Sequence, residues 1–138
     1  MDRLFDKHFT LLHKSLDFRF LRQNMLAANV ANAETPGYKA KDLIFERALG
    51  KAMHAHEPGP LRVTDPRHFD GRDAKPLELV TPTTIRSGNP VGSLDGNSVD
   101  LEREMAKLGE NQVVYQVMSQ IISSRLRSLR HVITEGER

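Results

Sequence analysis

This sequence predicts a mainly α fold: two long terminal helices pairing as a coiled-coil-like hairpin, with an irregular middle segment carrying short helix and strand pieces. Three observations predict it. All seven prolines lie between Pro36 and Pro90, and seven of the nine glycines fall within 34–97. Helix-breaking residues therefore crowd the centre and spare both ends. Near the C-terminus, Leu101, Met105, Leu108, Gln112, Tyr115, Ser119, Ile122, Leu126, Leu129 and Ile133 alternate spacings of four and three, the heptad of a coiled-coil seam. Near the N-terminus, Phe5, Phe9, Leu12 and Leu16 follow the same rule, and Leu26 and Val30 continue that face.

The first segment, residues 1–33, is read as one amphipathic helix. Arg19 and Gln23 interrupt its main stripe, and Leu11, Phe18, Leu21, Met25 and Ala28 form a second stripe beside it. Apolar surface on more than one side means that this helix meets more than one neighbour. Its end is marked by Asn29 and Asn32, poor helix-interior residues that hydrogen-bond backbone at a helix terminus. Ala27, Ala28, Ala31 and Ala33 leave a surface that another helix can approach closely. Thr35-Pro36-Gly37-Tyr38 then reads as a type II turn, with Pro fixing φ at the second position and Gly accepting positive φ at the third.

Residues 34–97 form the middle segment. Leu43–Met53 is expected to hold a short helix with Phe45, Leu49 and Met53 on one side. Leu61–Thr64, Leu77–Val80 and Thr83–Arg86 read as short strands bounded by Pro and Gly. Ser87–Asn97 reads as a flexible linker. Residues 98–138 form the heptad helix. Asp100 or Ser98 is placed to cap it. Asp100, Glu102 and Glu104 near its start, with Arg125, Arg127 and Arg130 towards its end, complement the helix dipole.

Composition narrows the function. The 138 residues carry a net charge of only +2, 38% hydrophobic residues, no Cys and no Trp. Without Cys there are no disulfides, thiol nucleophiles or Cys-based zinc sites. The low apolar share and two long helices leave too little of the chain to cover both apolar faces, which points to burial against other molecules. No apolar run reaches the roughly 20 residues of a membrane span. The N-terminus has Asp2, Asp6 and Lys7 where a signal peptide needs an apolar stretch, so export, if it occurs, is expected without a cleaved signal.

Chemistry-bearing residues are sparse. His54, His56 and Glu57 are the best metal candidates, but no third ligand is placed by spacing and His68 is distant; they read as loop residues. Asp65 and Asp70 suit turns better than paired-carboxylate catalysis. Arg125–Arg130 lacks interleaved aromatics, so a small helical nucleic-acid-binding protein is the alternative from another class. No catalytic residue, cofactor, metal, nucleic acid or small-molecule substrate is expected.

The stretch LAANVANAETPGYKA, residues 26–40, resembles the N-terminal signature of the bacterial flagellar basal-body rod and hook family. In that signature a helix ends in an Asn-Ile-Ala-Asn core and is followed by Thr-Pro-Gly-Tyr-Lys-Ala. Here Asn29, Val30, Ala31, Asn32, Thr35, Pro36, Gly37, Tyr38 and Lys39 fill the pattern, with Val30 for the usual Ile. DGNSVDLEREM at 95–105 and VYQVMSQIISSRLRSLRHVI at 114–133 are similar to the C-terminal part of a short proximal rod protein. The neighbouring short proximal rod protein is the alternative within the family. The resemblance implies a non-enzymatic structural protein whose terminal helices assemble into a helical tube, the periplasmic drive shaft of the flagellum. It implies as partners other copies of the chain, other rod proteins, the rod adaptor FliE, the membrane-ring base and the flagellar type III export apparatus.

Overall fold

The computed structural model describes residues 7–54, 77–87 and 95–135. Phe5, the expected strand Leu61–Thr64, the residues His56, Glu57, Asp65, His68 and Asp70, and most of the Ser87–Asn97 segment lie outside the described residues. The chain runs as helix α1 (Lys7–Ala31), strand β1 (Lys41–Ile44), helix α2 (Glu46–His54), a 3-10 turn (Leu77–Leu79), strand β2 (Thr83–Arg86) and helix α3 (Leu101–Glu135). The described part is mainly helical. The two long helices pack against each other, and the middle carries one small strand pair. At 1.5 Å per residue, the 35 residues of α3 reach about 52 Å.

The apolar core lies between α1 and the middle segment, not between the two long helices. Phe18, Leu43, Phe45, Leu49, Ala52, Leu77 and Val80 form it, with Leu11, Met25 and Ala48 packed at its margin. Phe18 and Phe45 meet with ring centres 5.4 Å apart and planes tilted by 58°, a favourable aromatic geometry. Phe45 and Leu49 stand where the helical spacing predicts, but α2 begins only at Glu46. Leu43 belongs instead to β1, which pairs antiparallel with β2 in the register Lys41↔Arg86 to Ile44↔Thr83. The Ser87 amide extends this pairing by donating to the Ala40 carbonyl at 2.8 Å.

Two expectations for the middle are corrected. Where a strand over Leu77–Val80 is expected, Leu77–Leu79 is a 3-10 turn. Leu77 and Val80 are both buried while Leu79 is exposed. An i, i+3 pair shares a face on a 3-10 turn, whereas a strand would put Leu77 with Leu79. The far end of the supposed linker, Asp95–Asn97, is tied down by hydrogen bonds to the turn that follows α1.

The face of α3 turned towards α1 is also rotated from the apolar seam. Glu104 and Asn111 are its buried residues, and Leu108, Tyr115, Met118 and Ile122 are half-buried. These six positions alternate spacings of four and three, like the expected seam. They replace Met105 and Gln112, both exposed, with polar residues that find partners on α1. Of the two cap candidates, Asp100 takes the role: its carboxylate accepts from the Arg103 amide at 3.1 Å.

Candidate functional site

The sequence motif at the end of α1 folds into a junction that joins α1, β1 and the start of α3. Asn29 is its centre and is fully buried. Its side-chain amide donates to the Lys41 carbonyl and to Glu104 Oε2, each at 2.7 Å. Its oxygen accepts from the Lys41 amide at 3.1 Å and the Tyr38 hydroxyl at 3.3 Å. An asparagine side chain has two donors and two acceptor sites, and all four are used. No aliphatic residue of this size could be substituted without leaving the Glu104 carboxylate and the Lys41 backbone short of partners.

The turn that follows has the expected form. The Tyr38 amide donates to the Thr35 carbonyl at 3.3 Å, and Gly37 has φ of 74°. Asn32 closes the helix by donating to the Ala28 carbonyl and accepting from the Thr35 hydroxyl. The last carbonyls of a helix have no partner within it. Here the Asn32 and Ala33 amides serve Ala28, Asn29 and Val30, and a distant residue serves the turn carbonyls that come next. The Asn97 amide nitrogen lies 3.0, 2.7 and 3.0 Å from the carbonyl oxygens of Asn32, Ala33 and Thr35. Its own oxygen accepts from the Val99 amide at 2.8 Å. Asn97 therefore fastens the turn that follows one long helix while ordering the entry to the other. Alongside it, the Gly37 amide donates to the Asp95 carbonyl, and the Ser98 amide to the Tyr38 carbonyl. The Ser98 hydroxyl accepts from the buried Ala40 amide at 2.9 Å.

From this junction a line of polar contacts runs between the helices. Glu104, also buried, takes a second bond from Lys107 Nζ at 2.7 Å. Lys107 also reaches Asp42 at 3.4 Å and the Ser87 hydroxyl at 2.8 Å. Asp42 is gripped by Arg22 through Nε at 2.8 Å and through a second nitrogen at 3.0 Å, a bidentate pair. Burial pushes the Asp42 carboxyl up, but the Arg22 guanidinium, the Leu43 amide and Lys107 outweigh it and hold it below the usual carboxylate range. The hydrogen bond to Asp42 raises Arg22 in turn, against burial. Further along, Asn111 donates to the Arg19 carbonyl at 2.9 Å and to the Gln23 side chain at 2.8 Å, and accepts from the Arg19 guanidinium at 3.2 Å. Arg19 lies over the Phe45 ring, 5.5 Å from its centre, so one residue links the polar seam to the apolar core.

Among the residues singled out from the sequence, the structure brings Asn29, Asn32, Thr35, Gly37, Tyr38 and Leu26 into or beside this junction. Leu26 and Asn29 are buried. Phe9, Leu12, Leu16, Val30, Leu108, Tyr115, Ile122 and Leu129 are half-buried. Ala27, Ala31, Pro36, Lys39, Leu101, Met105, Leu126 and Ile133 are exposed. Arg125, Arg127 and Arg130 are exposed as well. The junction depends equally on Arg22, Asp42, Asn97, Glu104, Lys107 and Asn111, for which sequence reading assigns no such role. One signal for them exists: Glu104 and Asn111 stand seven residues apart and frame Leu108.

The arrangement suits mechanical joining and offers no reactive constellation. Among the described residues no cluster of His, Asp and Glu has metal-holding geometry, and no helix is long and apolar enough to cross a membrane.

Comparison with known proteins matches this part of the chain. The family described as flagella basal body rod protein matches residues 21–39, the end of α1 and the turn. Over nearly the whole length, the chain is 33% identical across 143 residues to the flagellar basal body rod protein FlgB of Escherichia coli (strain K12), covering 99% of each. It is 34% identical across 143 residues to the FlgB of Salmonella typhimurium, again over 99% of each. With the FlgB of Bacillus subtilis it shares 31% identity across 134 residues, 97% of this chain and 98% of that relative.

Proposed function

This chain belongs to the FlgB family of flagellar basal body rod proteins, and we propose that it is a subunit of the proximal rod, built into the shaft that carries torque towards the hook. The observation that carries this reading is the span of the likeness: it includes both long helices and both halves of the junction that joins them. The role is structural and needs no catalysis. A subunit that transmits torque needs stiff elements held at a defined angle. Here the Asn29, Asn97 and Glu104 contacts hold the end of α1 to the start of α3. It also needs surface left over for neighbours. Val113 and Val117 on α3, and Phe20 and Leu21 on α1, are large apolar residues left exposed.

On this reading the partners are further copies of the chain and other rod proteins, with the adaptor FliE and the membrane-ring base beneath them. Residues 1–33 and 98–138 act as the assembling ends, and 34–97 as the piece that sets their geometry. The subunit reaches its place through the flagellar type III export apparatus without signal cleavage. The test is to delete the gene, restore it with an epitope-tagged copy, and image purified basal bodies. Loss of swimming on deletion and tag density at the base of the rod are expected. Normal rods without the protein would overturn the assignment.

A further inference from the structure

The apolar pattern of α3 repeats every seven residues, and a repeating seam has a known weakness. Sliding one helix past the other by a heptad returns apolar residues to apolar positions, so such a seam holds its partner without fixing where along its length the partner sits. The contact between α1 and α3 also contains three polar residues, and the two on α3, Glu104 and Asn111, stand one heptad apart but differ in chemistry and in partners. Asn29 meets Glu104, and Asn111 meets both Arg19 and Gln23. All three are essentially buried. Across the helix contact, Glu104 has Asn29 as its partner, and Asn111 has the Arg19 carbonyl, the Arg19 guanidinium and the Gln23 side chain.

We infer that Glu104 and Asn111 are register locks: they select the one antiparallel alignment of α1 and α3, while the apolar residues around them supply contact without selecting it. A slip of seven residues in either direction separates Asn29 from Glu104, and Asn111 from the Arg19 carbonyl and Gln23. One slip sets Glu104 at Arg19 and Gln23 but carries Asn111 towards the apolar end of α1 near Leu12. The other sets Asn111 against Asn29 but carries Glu104 past the end of α1 and brings Met118 to Arg19 and Gln23, so each slip strips one of the two of its partners on α1. Buried polar groups without partners cost far more than exposed ones, so the slipped pairings are disfavoured although their apolar contact is similar. Two further devices tie the helices: the Asn97 contacts with the backbone bonds around them, and Lys107 of α3, which reaches the Asp42 carboxylate gripped by Arg22 of α1. Both act nearer the junction than Asn111 does. The Asn111 contacts lie three turns into α3, at Arg19 and Gln23.

The chain has no Cys, so a pair of spin labels reads the alignment cleanly. Labels at Asp17→Cys on α1 and Ser128→Cys on α3 occupy exposed positions offset along the hairpin. The full chain is expected to give one narrow distance distribution. With Glu104→Leu and Asn111→Leu together, helix content by circular dichroism is expected to persist. A second distance population should appear, displaced by up to about 10 Å, the rise of seven residues. Asn97→Ala, which removes its bonds to the turn and leaves the seam, is expected to keep the single narrow population. A single unchanged population in the double leucine variant overturns the inference, as does slippage in Asn97→Ala alone. If the double variant loses its helix content, Asn111→Leu alone carries the test with the same labels: a second population supports the lock, and an unchanged one overturns it. A wild-type distribution as broad as the variant's overturns it too.

Discussion

Gly37 and Gly96 face each other across the junction with the same backbone handedness. Their φ angles are 74° and 73°, and a methyl built on Gly96 would lie 3.9 Å from the Gly37 Cα. That distance is ordinary contact, so space does not demand glycine at Gly96. The positive φ does. A side chain in the left-handed region costs roughly 1–2 kcal/mol. Gly37→Val and Gly96→Ala are each expected to lower stability to urea by that order, Gly37→Val by more because it is β-branched. Swimming should fall with Gly37→Val. A denaturation midpoint equal to wild type in both variants would contradict the strain argument.

Asn97 fastens the turn after α1 from a position more than 60 residues along the chain. Asn97→Ala leaves the Asn32, Ala33 and Thr35 carbonyls without that donor, at an expected cost of about 1–2 kcal/mol. Hydrogen exchange should accelerate at the Gly37, Tyr38 and Ser98 amides, which depend on the same junction. Acceleration spread evenly over α1 and α3 would instead mean that Asn97 has no local role.

Acid should loosen the Arg22–Asp42–Lys107 group before it affects the apolar core. The native Asp42 carboxyl is held below its ordinary value, so its stabilisation is complete above the unfolded value of about 3.9 and is lost as pH falls through the native one. Urea midpoints measured downwards from pH 6 should therefore begin to drop near pH 4. Asp42→Asn should flatten part of that drop and cost about 1.5–3 kcal/mol near neutral pH, because Arg22 and Lys107 lose a charged partner. An acid limb identical in the variant would remove Asp42 from the account.

Ala31 separates folding from assembly. It is exposed at the end of α1, so Ala31→Leu overpacks nothing within the chain and should leave stability within about 0.5 kcal/mol of wild type. In a rod the same change is expected to block incorporation by filling a close helix contact. Normal recovery of this variant in purified basal bodies would mean that no neighbour packs there.

The isolated chain should be unevenly protected. From Arg125 to Glu135, Leu129 is the only described residue of α3 that is not exposed, and short helices without packing are marginal in water. Hydrogen exchange on a dilute monomer should find the strongest protection at Leu26, Asn29 and Phe45 and the weakest beyond Leu126. Uniform strong protection along α3 would mean that the hairpin is self-sufficient.

How legible these features were depended on how far apart the interacting residues stand. The Thr35–Tyr38 turn is written in four adjacent residues, so its type and the positive φ of Gly37 follow from local chemistry. The two long helices follow from repeated spacing over many turns. Leu77–Val80 is too short for its period to be read, and burial of Leu77 with Val80 decides it. Asn29 and Glu104 are 75 positions apart and Arg19 and Asn111 are 92 apart. Nothing local marks a buried Glu or Asn as satisfied rather than solvated. Reading the largest apolar count therefore selects Met105 and Gln112 and passes over the positions that α1 touches.

Helix α1 is held on two sides by forces with opposite thermal behaviour. The Phe18–Phe45 side is apolar, and such contact weakens on cooling because its burial carries a large heat-capacity change. The Asn29–Glu104 and Arg19–Asn111 side buries polar groups, for which that change has the other sign. Chilling should then loosen the Phe18–Phe45 packing first, while the polar ties of α1 to α3, and of Arg22 and Asn29 to β1, persist. Warming should strain those ties before the core. The subunit's weakest seam is thus set by temperature, and it changes sides.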